Sequence, residues 1–184
     1  MSKFNTVTEV THWKAFTHSG LTYDLSHLNA HHVKYQDSHD SKDIIYRFIV
    51  TYGMHCFTRG IEGNLSPDQQ SLMYYGPKEN RPFDFKRYDL SKRLPAVIEA
   101  LGNPGTLVIH APYGKYATFK LLVLDGGEMT YFVPFVAFRE KKKLRLHIQS
   151  AYPKEQPLGK IQKVNFFAIA KNLFRGKKPP HPRK

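Results

Sequence analysis

The stretch Leu144-Arg145-Leu146-His147-Ile148-Gln149-Ser150-Ala151-Tyr152 decides the reading of the fold. Leu144, Leu146 and Ile148 alternate with Arg145, His147 and Gln149, which is the two-residue period of a strand with one apolar and one polar face. The polar face carries a cation, an imidazole and an amide spaced roughly 6–7 Å apart. Such a row can hold a phosphate.

Around this strand the chain predicts an antiparallel meander, with strands at about 106–111, 115–124, 129–138, 144–152 and 163–170. Asp125-Gly126-Gly127 is a tight-turn signal, and Glu140 with Lys141, Lys142 and Lys143 makes a charged turn. Pro134 marks its strand as an edge or as bulged there, because proline gives the ladder no donor. Upstream, Leu90, Leu94, Val97, Ile98 and Leu101 recur at helical spacing. They predict one amphipathic helix from 89 to 101, capped by Asp89 or Ser91 and ended by Gly102.

Residues 44–58 are rich in aromatic and β-branched side chains and read as a long strand, with Gly53 as the place for a bulge. Between that strand and the helix, residues 59–87 hold Gly60, Gly63, Pro67, Gly76, Pro77 and Pro82, so a long loop without long regular elements is expected. Residues 21–35 suggest a short strand and a helical turn capped by Asp24, followed by a polar loop at 36–43, while residues 1–20 suggest an irregular arm. The expected class is α+β: a curved antiparallel sheet of about five to seven strands on one main amphipathic helix, with long loops. A single domain over 1–174 would be followed by a disordered basic, proline-rich tail at 175–184.

The charge balance bounds the partner. In 184 residues, 28 Lys and Arg face 15 Asp and Glu, a net charge of +13. The tail supplies five of those thirteen charges, so the folded part remains basic. Such a surface attracts polyanions, nucleic acid first. With 41% hydrophobic and 14% aromatic residues the chain is not of the disordered class. The lone Cys56 excludes an internal disulfide framework and fits a reducing, cytoplasmic setting. No apolar run reaches the roughly 18 residues of a membrane span, so no membrane partner is expected.

Three constellations could carry chemistry. In the first, Lys92 and Arg93 on the helix, Lys115 and Lys120 on the preceding hairpin, and Arg145 and His147 on the central strand converge on one groove if the helix crosses the sheet; Arg139 is a further candidate contact to nucleic acid. Metal-independent RNA cleavage needs a base, an acid and cations for the phosphorus; His147 would be acid or base, Arg145 the phosphate clamp, and Ser150 or Tyr152 a hydrogen-bonding partner. Strict alternation turns Ser150 and Tyr152 away from His147, so a bulge must re-aim them. Against this stands the simpler reading of Arg145, His147 and Gln149 as a solvated sheet face.

The second constellation is Asp24, His27, His31, His32, His55 and Cys56. His27, His31, His55 and Cys56 are candidate metal ligands, or His27 and His55 an acid–base pair. Neighbouring strand residues point to opposite faces, so the plainer reading is packing, with Cys56 a buried small hydrophobe and no metal or cofactor required. Third, Tyr113, Lys115, Tyr116, Phe119, Lys120, Tyr131, Phe132 and Arg139 interleave aromatics with cations, as base-stacking platforms do, although aromatics in strands are mostly core.

The order of a helix and then a curved sheet whose late strand carries Arg145-Leu-His-Ile-Gln-Ser-Ala-Tyr152 resembles the barnase-, EndoU-, colicin- and RelE-type ribonuclease superfamily over residues 88–170. That resemblance implies a small metal-independent ribonuclease, often a toxin, though no glutamate partner for His147 completes a catalytic set. The segments Tyr23-Asp-Leu-Ser-His-Leu28, His55-Cys-Phe-Thr58 and Arg87-Tyr-Asp-Leu-Ser-Lys-Arg-Leu94 also resemble a group of bacterial and mobile-element proteins, which implies a setting but no activity. The expectation is therefore a nucleic-acid-engaging protein, RNA favoured over DNA, with ribonuclease activity of toxin type. The alternative is a non-catalytic nucleic-acid-binding or protein-interaction module, an accessory or inhibitor of a phage or mobile element, with an acidic protein as a further possible partner.

Overall fold

A computed structural model describes residues 10–38, 44–61, 63–111, 115–124, 127–154 and 161–180. In chain order the elements are β1 (Phe16–His18), β2 (Leu21–Tyr23), β3 (His31–Asp37), β4 (Ile44–His55), α1 (Pro67–Ser71), β5 (Met73–Tyr75), β6 (Asn80–Pro82), α2 (Phe85–Ser91), α3 (Leu94–Glu99), β7 (Leu107–Ala111), β8 (Lys115–Leu124), β9 (Gly127–Glu140), β10 (Lys143–Ser150), β11 (Tyr152–Lys154), β12 (Lys163–Asn165) and α4 (Phe166–Phe174). Among the described residues the curled main sheet has eight strands in the order β12-β7-β8-β9-β10-β4-β3, with β11 alongside β9. The α+β class with a curved sheet holds.

One junction departs from the expected antiparallel meander. β10 runs parallel to β4, with Leu144 beside Phe48 and His147 beside Thr51. A parallel pair needs a long crossover, and residues 56–142, which include the helices and the β7–β9 meander, supply it. The apolar face of β10 is the inner one: Leu146 and Ile148 lie fully buried with Phe48, Val50, Tyr52, Phe135 and Phe166.

The predicted helix over 89–101 is two helices. Asp84 caps α2 by accepting from the Arg87 N–H at 2.9 Å, the chain breaks at Lys92–Arg93, and Pro95 sits in the first turn of α3 where its missing donor costs nothing. Leu90, Leu94 and Ile98 keep helical spacing across the break because all three reach the same core. The expected strand at 163–170 is also corrected. Only Lys163–Asn165 is extended; Asn165 then caps α4, accepting from Phe167 N–H at 2.9 Å, and Phe166, Phe167, Ile169, Ala170 and Leu173 form its buried stripe.

Other local expectations fare unevenly: His31–Asp37, expected to close a helical turn and open a loop, is the edge strand β3, held in register by β4. Between Ile148↔Tyr52 and Ser150↔His55 the register gains one residue on β4, a bulge at Gly53. Pro134 is not at a sheet edge, yet it sits where the β10 ladder ends at Phe135 and the β11 ladder begins at Phe132, so no donor is required of it. Asp24, the expected cap of a helical turn, accepts from the Ser26 N–H at 3.0 Å, while the N-cap position of the 3-10 turn Ser26–Leu28 is Leu25. Of the tail, Lys177 N–H donates to Asn172 O at 2.8 Å and Asn172 Nδ2 to Lys178 O at 3.0 Å, while 181–184 lie outside the described residues.

Candidate nucleic-acid interface

Strand parity decides which side chains can meet a ligand. With Leu144, Leu146 and Ile148 inward, Arg145, His147 and Gln149 face outward, together with Arg47, Ile49 and Thr51 of β4 and His32 and Lys34 of β3. Cross-strand register stacks these into rows. Phe138, Arg145, Ile49 and His32 form one row, and Lys115, Val136, His147 and Thr51 the next.

A hollow of about 670 Å3 opens at the β3–β4–β10 end of the sheet, where the outward-facing His32, Lys34, Ile45, Arg47 and Ile49 meet the hairpin residues Lys142 and Lys143, inward-facing Leu144 and Phe174 of α4. Among the described residues no acidic side chain lines it. Ile45 at 46% and Phe174 at 54% exposure give it an apolar floor, and Phe174 is braced edge-on against Tyr46 at 5.6 Å between ring centroids. The rim is built by the β9–β10 hairpin, in which Glu140 pairs with Lys143 across Lys141 and Lys142. Both turn residues have positive φ, 47° and 64°. That is the geometry of a type I′ hairpin, ordinarily taken by Asn and Gly, so two lysines hold it against a local cost of order 1 kcal/mol each.

Arg145 does not serve as a phosphate clamp. Its side chain is buried, and Nε and Nη2 both donate to Glu140 Oε2 at 3.2 and 3.0 Å. The pair cancels the carboxylate of Glu140 beside the hollow and leaves the lysines to set its sign.

One row beyond, the tip of the β5–β6 hairpin hangs over the same face, held tight by Gly76 N–H donating to Glu79 O at 3.1 Å. It closes a second cavity of about 270 Å3, lined by Val10, Trp13, Gly53, His55, Pro77, Lys78, Glu79, His147 and Gln149 among others. Glu79 is engaged at both oxygens, by His55 Nε2 at 2.8 Å and Arg81 Nη1 at 3.3 Å. Burial opposes its ionisation, but those two hydrogen bonds outweigh it and hold the carboxyl below its ordinary range. His147 Nδ1 lies 3.0 Å from Thr51 Oγ1. Burial first, and then the charge of Lys78, lower His147 from 6.5 to about 4. It is neutral at physiological pH.

The remaining expected site residues scatter. Lys92 and Arg93 belong to the helical layer on the inner side of the sheet, where Tyr35 OH donates to Ile98 O at 2.8 Å. Lys92 there pairs with Asp89 at 2.9 Å and lies over the Tyr88 ring at 4.4 Å. They cannot share a groove with His147, which faces outward. Lys115 does share its row. Arg139 has inner-face parity near Gly176, and the side chains of Lys120 and Phe119, like all of Tyr113, lie outside the described residues. Tyr116 and Tyr131 are core, and Phe132 packs on Tyr152 at 5.6 Å. Four residues separate Ile148 from Tyr152 while three separate Phe135 from Phe132, so the extra residue near Ala151 returns Tyr152 to the parity of His147. Even so, Tyr152 sits under Arg87 at 5.6 Å and Ser150 Oγ donates to His55 O at 3.4 Å, and neither lines the cavity.

The candidate metal ligands do not assemble either. Among the described residues no group of three or more His, Cys, Asp or Glu could hold a metal ion. Ser91 Oγ–H donates to Tyr88 O at 2.6 Å, so His27 Nε2, 2.7 Å away, is itself the donor to Ser91: a clip between the 3-10 turn and α2. His31 stacks on Tyr52. Cys56 is fully buried, its thiol pushed up to about 12, while the neighbouring His55 is half-exposed. The partners sequence reasoning missed are Lys78 and Glu79, which reach the face from a distant loop; Glu140 was visible, five residues from Arg145 across a turn already recognised.

No described helix is long and apolar enough to cross a membrane. No solved structure matches the chain, so the ribonuclease resemblance of residues 88–170 gains no support. A curated relative, Protein YjaZ of Escherichia coli (strain K12), is 50% identical over 181 residues, covering 96% of this chain and 98% of that protein. The sequence model of the YjaZ family matches residues 15–174, and the chain belongs to the YjaZ family.

Proposed function

We propose that this protein binds nucleic acid, single-stranded RNA in preference to duplex DNA, on the outer face of its main sheet in the bacterial cytoplasm. The observation that carries the reading is the hollow in which His32, Lys34, Arg47, Lys142 and Lys143 lie with the exposed Phe174 and Ile45 and, among the described residues, no carboxylate lines it. Lysines and arginine neutralise backbone phosphates, and an exposed aromatic edge offers a stacking surface to an unpaired base, which duplex DNA does not present. The net charge of +13 supplies the long-range attraction. Retaining Lys142 at positive φ is what a charge needed at that spot would require. Fluorescence anisotropy with a labelled 12-nucleotide RNA and a duplex DNA of equal length tests this. The reading expects tighter RNA binding, and affinity that falls at least tenfold in Lys34→Glu/Arg47→Glu; no RNA binding at low salt contradicts it.

A further inference from the structure

We propose that the 270 Å3 cavity beside the binding face is an acid–base centre that cleaves bound RNA without a metal, with His147 and His55 as the proton carriers and Lys78 as the charge stabiliser. The inference rests on the RNA-binding reading above and assigns to it a reaction and a site.

Three features of the cavity carry it. Two histidines on neighbouring strands border one enclosure, with the lysine brought over them by the β5–β6 hairpin tip. Among the described lining residues the one carboxylate, Glu79, is neutralised by its contacts to His55 and Arg81, so Lys78 leaves the enclosure electropositive and suited to an oxyanion. His55 is oriented by Glu79 through Nε2, which leaves Nδ1 for exchange with a substrate, as in the carboxylate–histidine pairs that fix a tautomer. The position fits the substrate path as well. His147 is two residues along β10 from Arg145, whose row reaches His32 in the basic hollow, a step of roughly 6–7 Å.

The step balances within the substrate and these side chains. Neutral His147 takes the proton of a ribose 2′-hydroxyl, and the 2′-oxygen forms a bond to phosphorus. Lys78 stabilises the charge on the non-bridging oxygens. The bond from phosphorus to the 5′-oxygen breaks, and protonated His55 gives that oxygen its proton. The products are a 2′,3′-cyclic phosphate and a 5′-hydroxyl. Glu79 is a positioning residue.

The test incubates the full-length protein with a labelled RNA in EDTA, alongside a copy of the RNA with 2′-deoxy sugars. Cleavage of the first only, with cyclic-phosphate ends, is expected. His55→Gln and His147→Gln should each lower the rate by about 10²–10⁴-fold with RNA affinity within about twofold. Lys78→Ala, on an exposed loop tip, should lower it at least tenfold without a change in melting temperature. Glu79→Gln should shift the pH–rate profile as well as lower the rate. RNA that is bound but stays intact, or is cut undiminished by the His55 and His147 variants, overturns this inference and leaves the binding reading standing. Absence of RNA binding overturns both.

Discussion

Arg145 donates two hydrogen bonds to one oxygen of Glu140, and its side chain is only 3% exposed while that of Glu140 is 33% exposed. A charge so placed is a structural member of the sheet. Glu140→Gln, which leaves the buried guanidinium facing a neutral acceptor, is expected to cost about 2 kcal/mol. Arg145→Lys should not restore what Arg145→Ala loses, since an ammonium cannot make both bonds. Urea unfolding checks both, and in the folded fraction of Arg145→Ala the unmasked Glu140 carboxylate beside the hollow should weaken RNA binding.

His147 makes stability depend on acid. Its proton affinity is lower folded than unfolded, so the unfolded chain binds more protons in the window between 6.5 and about 4, and stability falls as pH falls through it. The full effect is about 3 kcal/mol. Urea midpoints measured from pH 7 to pH 4 should show this decline, and His147→Gln should flatten that component of it.

The hairpin at Lys141 and Lys142 sets stability against function. Lys141→Asn/Lys142→Gly installs the residues that positive φ favours and should raise stability by about 1 kcal/mol. By removing the lining cation Lys142 and its neighbour Lys141 it should weaken RNA binding and flatten the slope of affinity against salt. Thermal melts and anisotropy on the same preparation check the pair of effects.

Gly53 is required by the close approach of β10. A methyl group there would lie 2.8 Å from Gln149 O and 3.3 Å from Ile148 O, both backbone atoms that cannot swing aside. Gly53→Ala should cost about 1–3 kcal/mol and displace the His147–Ser150 segment. A melting scan reads the first effect, and changed amide protection along β10 the second.

The local grammar of this chain was readable and its long-range pairings were not. Alternation at Leu144, Leu146 and Ile148, the bulge at Gly53, the break in pairing at Pro134 and the inertness of Cys56 all follow from neighbours in sequence. Residues 163–170 were open to a better reading, because Asn165 is a cap signal and the stripe from Phe166 runs on to Leu173 with helical period. The parallel junction of β10 with β4 joins residues about a hundred positions apart, and no local pattern encodes it. The candidate site divided along the same line. The expected grouping of His147 with Lys115 matches one row of the sheet, but the helix carrying Lys92 and Arg93 packs on the other face, and Lys78 and Glu79 arrive from a glycine- and proline-rich loop whose path only tertiary contacts define.

The affinity of a 12-nucleotide RNA measured at 50 and 200 mM salt, for wild type and for Lys34→Glu/Arg47→Glu, tests the central claim most directly. The account requires wild-type binding that weakens steeply with salt and a variant, folded to the same melting temperature, that binds at least tenfold more weakly and with a shallower slope. Equal binding by the two proteins would contradict it.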